Sequence, residues 1–477
     1  MSIRKPCPRC KTPLEIPQPA PEQIRCDNCG AVIKNRASSS EKPSAVASTS
    51  TDSNAPASYR PSGVLLAALG VGVLLFCLAP IVVLGLVWTY RGVEKKDEQK
   101  PTEIAKEEKK QPKPPPPPDP RIKIVQPAVD KGVAFIRTQV PTIATMRCGY
   151  VGLNGLALLE CGVPEDDPDV MALVAAIRKE APTMKMTYDL APSLFFLNRW
   201  NESRPLDEAD RAMARSFALR ILTGQLTTGI WTYECSILTP EQEAKLLIDL
   251  QAGSYKPTKE SHIASMSNTQ FAMLAVWGSR KYGVPVRSPL LALARYFRTN
   301  QNPDGSWHYG LGAFKASATN AGLIGLAIES ALLDEKEFPG ALRPSNENSN
   351  KEYLDKAFEF AGKTIGRKKS DPGGGSIVSF GGAYFDADAI GDLYYLWTLE
   401  RVGVIYSKEL IADKNWYDWG YPIILEAQQP NGSWDEPHKL RFGPLVDTPF
   451  ALLFLKRANI ARDLTEIIRT RDGREVR

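Results

Sequence analysis

The chain has 477 residues, of which 43% are hydrophobic and 24% charged, and these proportions exclude a wholly disordered or a collagen-like chain. The net charge of +5 is local, because residues 1–121 carry +6 and residues 122–477 carry −1. The large C-terminal part therefore lacks the bulk positive charge that favours binding to nucleic acid.

Residues 1–36 contain two C-x2-C pairs separated by fifteen residues, Cys7 with Cys10 and Cys26 with Cys29. Two such pairs can complete a tetrahedral four-thiolate site, and the segment resembles a zinc ribbon. Because all four ligands would be cysteines, no position remains for a reactive water, so we expect a structural zinc that holds the fold. The alternatives are redox-active disulfides or a degenerate finger.

The next segments predict a linker, a membrane span and a stalk. Residues 37–62 are rich in Ser, Ala, Pro and Thr and predict a disordered linker. Residues 63–90 contain no charged side chain over 28 positions, long enough for a single transmembrane helix; the alternative is a buried core helix. Residues 91–121 mix Lys and Glu and then reach five consecutive prolines, which predicts a stiff stalk.

Two features of the sequence predict opposite orientations of the chain in the membrane. Basic residues are more numerous after the span than before it, which favours a cytoplasmic C-terminal domain. A reduced four-thiolate site favours a cytoplasmic N-terminus instead. We predict a single-pass protein of the cell membrane, with the N-terminus in the cytoplasm and the large domain outside.

Residues 122–477 have a helical period throughout and predict an all-α domain. Apolar stretches alternate with amphipathic ones, which predicts about six helix pairs in a solenoid or a closed ring. The apolar stretches lie near 153–161, 187–199, 267–281, 317–331, 386–401 and 446–457. The amphipathic stretches lie near 129–139, 170–179, 208–225, 288–300, 351–365 and 414–428.

A Gln-x3-Gly-x-Trp motif follows two of the amphipathic stretches. The copies contain Gln301, Gly305 and Trp307, then Gln428, Gly432 and Trp434. A third segment shares only Gly229 and Trp231 with the motif, and GGGSIVSFGG at 373–382 is similar to a degenerate copy. Pro-Asp-Gly and Pro-Asn-Gly favour turns, so we expect the tryptophans to pack across helix ends. Sugar binding by these tryptophans is the alternative.

The motif resembles the QW repeat of terpenoid cyclases and protein prenyltransferase β subunits, over about 350 residues. The resemblance implies an α/α toroid of inner and outer helices. Segments such as SNTQFAMLAVW, YYLWTLERVGV and DTPFALLFLKRAN further resemble bacterial membrane-anchored proteins with prenyltransferase and squalene oxidase repeats.

The family's catalytic motifs are incomplete in this chain. The D-x-D-D acid motif of type II cyclases is matched only by Asp386 and Asp388, since Ala389 follows them. The Asp-x-Cys zinc pair of protein prenyltransferases does not occur in residues 122–477, so we expect no catalytic cofactor in the toroid.

The apolar helices begin with clusters of small polar residues. These are Thr187-Tyr188-Asp189, Ser267-Asn268-Thr269-Gln270, Ser317-Ala318-Thr319-Asn320, Asp386-Ala387-Asp388 and Asp447-Thr448. If these are inner helices of a ring, the clusters lie at one mouth of it. N-capping explains one residue of each cluster, and a ligand site is the other interpretation. Asp189, Asp386 and Asp388 are the candidate catalytic residues, because two carboxyl groups in a desolvated mouth would raise one pKa.

Two functions follow from these observations. The first is a membrane-anchored binding or scaffold protein whose toroid lacks its relatives' chemistry, with a protein or lipid partner at the toroid mouth. The second is an enzyme that acts on an isoprenoid or other lipid by aspartic acid catalysis. A closed or polar cavity favours the first, and an open aromatic cavity with inward aspartates favours the second.

Overall fold

The computed structural model describes four N-terminal strands and most of residues 119–471. Within that range, the residues outside the description are 204–206, 262–263, 310–314, 335–347, 368–375, 381–382, 388–391 and 436–442. The chain divides into two units, Met1–Pro112 and Lys113–Arg477.

The described part of the first unit consists of two antiparallel hairpins. They pair β1 (Ser2–Pro6) with β2 (Pro13–Pro17) and β3 (Gln23–Arg25) with β4 (Val32–Lys34). The four expected zinc ligands lie outside the described residues. In the sequence, Cys7 and Cys10 stand between β1 and β2, and Cys26 and Cys29 stand between β3 and β4.

The linker, the expected span at 63–90 and the stalk up to residue 118 also lie outside the described residues. Among the helices that are described, none combines the length and the apolar character needed to cross a membrane.

The described part of the second unit is predominantly helical. Its α-helices are α1 (Arg121–Ile143), α2 (Cys148–Glu160), α3 (Pro168–Glu180), α4 (Thr187–Trp200), α5 (Glu208–Thr223), α6 (Pro240–Gln251), α7 (Met266–Gly278), α8 (Arg287–Thr299), α9 (Lys315–Leu332), α10 (Asn348–Thr364), α11 (Leu393–Ile405), α12 (Trp416–Ala427), α13 (Pro444–Lys456) and α14 (Arg462–Arg471). Two hairpins interrupt them, β5 (Ser376–Phe380) with β6 (Ala383–Ala387), and β7 (Leu410–Ile411) with β8 (Lys414–Asn415).

Six of these helices form a closed inner ring. Around it, α2 packs on α4, α4 on α7, α7 on α9, α9 on α11, α11 on α13, and α13 returns to α2. Six outer helices lie against the ring: α1, α3, α5, α8, α10 and α12. Outer and inner helices alternate along the chain, so the inner helices run in the same direction and their N-termini share one mouth of the ring.

Burial explains why the two sets of helices differ in sequence. In α7 every residue from Asn268 to Trp277 is buried, because an inner helix contacts neighbours on all sides. The outer helix α8 buries one stripe only, at helical spacing: Pro289, Leu290, Leu293, Ala294 and Phe297. The six apolar stretches of the sequence correspond to the inner helices and the six amphipathic stretches to the outer ones. The prediction of an all-α ring of about six helix pairs is confirmed for the described residues.

Two predictions about the segment before α11 are wrong. The inner helix begins at Leu393, with Asp392 as its N-cap, and not at Asp386. Asp386 belongs to β6, where it pairs with Ile377 of β5. The expected degenerate motif at 373–382 contributes β5 to this hairpin. The run SIVSF favours a strand through its β-branched and aromatic residues. Its partner strand β6 continues to Ala387, so the helix begins only after it.

The amphipathic helices α6 and α14 were not predicted. Helix α6 buries only Leu250, and Thr239 and Gln242 form a capping box at its start. Helix α14 is short and packs on α9 and α11.

Candidate functional site

The glutamine of the Gln/Trp motif joins two consecutive outer helices. In each copy its Nε2 donates to the carbonyl of the motif glycine and to a carbonyl in the next outer helix. The second acceptors, each at 2.9 Å, are Pro289 for Gln225, Tyr353 for Gln301 and Ala128 for Gln428. The last of these bonds joins α12 to α1, and therefore closes the outer layer of the ring.

The glycine and the tryptophan of each copy also have equivalent surroundings. The glycines have positive φ angles, and an added Cβ would lie within 2.2–2.4 Å of a carbonyl oxygen of the next outer helix. Each indole N–H donates to a carbonyl ten residues earlier, at the end of the preceding outer helix. Trp231, Trp307 and Trp434 are at most 1% exposed. These contacts suit a structural role for the motif in joining the outer helices.

The third copy of the motif is complete, although only Gly229 and Trp231 are expected from its sequence. Gln225 stands four residues before Gly229, and its Nε2 donates to the Gly229 carbonyl at 2.8 Å. The same spacing relates Gln301 to Gly305 and Gln428 to Gly432. The signal was present in the sequence, since residues 225–231 read QLTTGIW, but this copy has no Pro-Asp-Gly or Pro-Asn-Gly turn to mark it.

A threonine at the start of three inner helices completes the same unit. The backbone N–H of Trp231 donates to Thr269 Oγ1, that of Trp307 to Thr319 and that of Trp434 to Thr448, at 3.0, 3.2 and 3.0 Å. Among the inner helices, Ser265 caps the N-terminus of α7 and Asp392 caps that of α11 through their side chains. The threonines of the polar clusters thus hold the tryptophan loops, a role that neither sequence interpretation included.

Asp189 is held in an ion pair and a backbone hydrogen bond. Its carboxylate accepts from Arg147 Nη2 at 2.8 Å and from the Gly149 backbone N–H at 3.1 Å. These contacts join the start of α4 to the start of α2. The arrangement therefore suits a structural link between these two inner helices.

The backbone of Asp386 lies in strand β6 and not on an inner helix. Asp388 lies outside the described residues. A catalytic role for Asp189, Asp386 and Asp388 stays a prediction.

Aromatic side chains occupy the middle of the ring. Phe195, Phe271, Trp397 and Phe450 come from α4, α7, α11 and α13, and each is at most 4% exposed. Their centroids are 5.8 Å apart for Phe195 and Phe271, 5.1 Å for Phe271 and Trp397, and 5.0 Å for Trp397 and Phe450. Because α7 and α11 are not neighbours in the ring, the contact between Phe271 and Trp397 crosses the bore.

The N-terminal mouth of the ring lies beyond this aromatic layer and is rich in hydroxyl and amide groups. Tyr394 donates to Gln270 Oε1 at 3.3 Å, again between α11 and α7. Tyr188 donates a short hydrogen bond to Ser267 Oγ. Burial raises the pKa of both tyrosines well above the usual range, so these phenols stay neutral and act as hydrogen-bond donors.

A buried ion pair lies toward the C-terminal mouth. Arg401 Nε donates to Glu400 Oε2 at 2.6 Å, and the two side chains are 1% and 0% exposed. Arg401 also donates to the Ala458 carbonyl and stands 5.6 Å from the Trp397 ring. Burial raises the pKa of Glu400 to about 8, against the opposing effect of Arg401. The pair connects α11 to the segment after α13.

The chain is similar to solved structures of the type II terpene cyclase MstE from Scytonema. A variant in complex with geranylgeranyl dihydroxybenzoate, its substrate, is 14% identical, with a TM-score of 0.40 over 73% of this chain and 99% of that chain. A second variant, without ligand, is 14% identical, with a TM-score of 0.41 over 71% and 98%. The ligand-free MstE structure is 15% identical, with a TM-score of 0.38 over 70% and 99%. No protein-family model and no curated protein matches the chain.

Proposed function

We propose that the toroid is a binding or scaffold module that has lost the cyclisation chemistry of the terpenoid cyclases it resembles. The observation that supports this proposal is the aromatic layer, since a cyclase needs an open bore in which to fold a polyprenyl chain. Phe271 and Trp397 contact each other across the ring at 5.1 Å. Asp189, the candidate acid whose side chain is described, is already paired with Arg147.

Turnover by the full-length protein tests this proposal. The protein, in lipid nanodiscs, is incubated with geranylgeranyl and squalene-type substrates, and the products are analysed by mass spectrometry. We expect no cyclised product from the wild type. Turnover that is abolished by Asp388→Asn, while the variant keeps its melting temperature, would establish the alternative function, an enzyme that acts on isoprenoids by acid catalysis.

We further propose that residues 63–90 anchor the chain in the cell membrane, with the N-terminus in the cytoplasm and the toroid outside. The uncharged stretch of 28 residues supports a span. In intact cells, Lys109→Cys in the stalk should take up one more impermeant maleimide than the wild type, whose native cysteines include the half-exposed Cys161. Labelling that requires permeabilised cells would reverse the proposed orientation.

The N-terminal unit is proposed to hold one structural zinc through Cys7, Cys10, Cys26 and Cys29. The spacing of the cysteines supports four thiolate ligands, and each pair stands between two paired strands in the sequence. Elemental analysis of the full-length protein should give one zinc per chain, lost in Cys26→Ser. An equal zinc content in that variant would exclude the site.

A further inference from the structure

A cavity of about 640 Å³ opens at the C-terminal mouth of the ring. The ends of α2, α4 and α7 line it, together with the segment that follows α13. Part of its wall is apolar: Leu156, Phe195, Val284, Pro285, Val286 and Ile460. Phe195 also belongs to the aromatic layer, so the cavity ends where the filled bore begins. Its volume lies in the range of small-molecule sites, which is about 300–1,000 Å³.

The charged residues of the cavity are nearly all matched in pairs. Each of three arginines contacts a carboxylate of the lining: Arg280 with Asp463 at 2.5 Å, Arg462 with Glu202 at 2.7 Å and Arg199 with Glu160 at 3.2 Å. Arg199 also lies 3.5 Å from Glu202 and 3.4 Å from Glu165, which is not part of the lining. Lys281 is the fourth cation of the lining, and no carboxylate among the described residues lies within 4.0 Å of its ammonium. The unmatched cation of the cavity is therefore Lys281.

Lys281 has hydrogen-bonding capacity to spare. Its Nζ donates to the Asn198 carbonyl at 2.9 Å, near the end of α4, and an ammonium has three N–H donors.

We propose that this cavity binds a small amphipathic anion, with its apolar body against Phe195, Val286 and Ile460 and its anionic group on the ammonium of Lys281. The proposal deepens the binding role given above by naming a ligand class. It concerns the mouth opposite to Asp189 at the start of α4, and therefore does not depend on whether the toroid turns over an isoprenoid.

Three probes with the same apolar body and different head groups test this inference. Calorimetry on the full-length protein in nanodiscs compares 4-phenylbutyrate, 4-phenylbutanol and 4-phenylbutylamine, which are soluble in water. We expect the acid to bind at least tenfold more tightly than the alcohol and the amine. Lys281→Gln should weaken binding of the acid about tenfold and leave the alcohol unchanged. Ile460→Trp, which narrows the cavity, should weaken all three probes.

The control is Lys245→Gln, which removes an exposed cation of α6 that is paired with Asp249 and should leave every affinity unchanged. Melting temperatures of the variants show that they are folded. Tighter binding of the amine would mean that the negative carbonyl ends of the inner helices dominate this mouth, which would overturn the proposal. Equal affinity of Lys281→Gln and wild type for the acid, or no binding of the acid, would overturn it as well. Neither binding result changes the outcome expected in the cyclase assay, so the two proposals can fail separately.

Discussion

The side-chain amide of Gln225 is 1% exposed and donates to two backbone carbonyls, those of Gly229 and Pro289. In Gln225→Met a side chain of similar length remains, but the Gly229 carbonyl loses its side-chain donor and the Pro289 carbonyl keeps only its bond within α8. An unsatisfied buried group costs about 1–3 kcal/mol, so we expect the free energy of unfolding to fall by about 1–3 kcal/mol in urea titrations.

Gln251→Met is the matched control, because Gln251 is exposed at the end of α6. It should change the stability by less than about 0.5 kcal/mol, as is usual for surface positions. A stability loss that is equal in the two variants would show that Gln225 does not join α5 to α8.

Glu400 should make stability depend on pH. Its pKa is raised by burial to about 8 in the folded protein, against an ordinary value of 4.5. Between these values the unfolded chain has released the proton that the folded chain retains, so stability falls as pH rises from about 5 to 8. In Glu400→Gln this position stays neutral at every pH. The urea midpoint should therefore fall less steeply between pH 5 and 8 than it does in the wild type. The raised pKa values of Glu160 and Glu329 act in the same direction.

The control for this titration is Glu359→Gln on α10, where the side chain is exposed. Its urea midpoints should follow the wild-type pH dependence. A wild-type stability that rises between pH 5 and 8, with a flat response in Glu400→Gln, would mean that the ion pair with Arg401 keeps Glu400 ionised.

At the scale of elements, two glycines with positive φ distinguish the cost of crowding against an outer helix from the cost of backbone strain alone. Gly432 has a φ of +89°, and an added Cβ would lie 2.4 Å from the Lys131 carbonyl of α1. Gly253 has a φ of +67° with no atom within 4 Å. Alanine at either site costs about 1 kcal/mol from its backbone conformation, whereas Gly432→Ala must also displace α1.

We therefore expect Gly432→Ala to be destabilised by at least about 2 kcal/mol more than Gly253→Ala, since overpacking costs about 1–3 kcal/mol. Chemical denaturation of both variants measures the difference. Equal losses would indicate that α1 does not press against the motif loop.

Much of the element pattern could be predicted because burial on all sides leaves a direct trace in sequence. The six inner helices are predominantly apolar and buried on most sides, and the outer helices bury one stripe. The hairpin of β5 and β6 was not predictable from that contrast, because DADAIGD reads as the polar start of a helix. The roles of Thr269, Thr319 and Thr448 depend on tryptophans 12 to 38 residues away, which local capping rules cannot include.

The functional residues were harder to predict than the fold. The cavity at the C-terminal mouth combines residues from Leu156 to Asp463, and no motif connects segments so far apart in the chain. The ion pair of Asp189 with Arg147 spans 42 residues. The sequence could identify an acidic residue at a helix start, but the neighbour that neutralises it is set by the ring.

For the whole molecule, a closed ring and an open solenoid respond differently to loss of the last inner helix. Helix α13 contacts both α11 and α2, so truncation after residue 443 exposes apolar faces of two helices at once. We expect the truncated chain to lose cooperative unfolding in calorimetry. Removal of residues 472–477 alone should leave the transition unchanged. A cooperative transition that survives truncation after residue 443 would indicate an open stack of repeats.

The hydrogen bond from each motif tryptophan to its threonine has nearly the same length in the three copies, yet the intervening chain differs widely. The separation is 12 residues for Trp307, 14 for Trp434 and 38 for Trp231, where α6 is inserted. Both ends of these connections are fixed, and a doubling of loop length costs only about 0.6 kcal/mol in closure entropy. The connections at the N-terminal mouth can therefore accept insertions, which makes this mouth the natural place to graft new binding loops onto the ring.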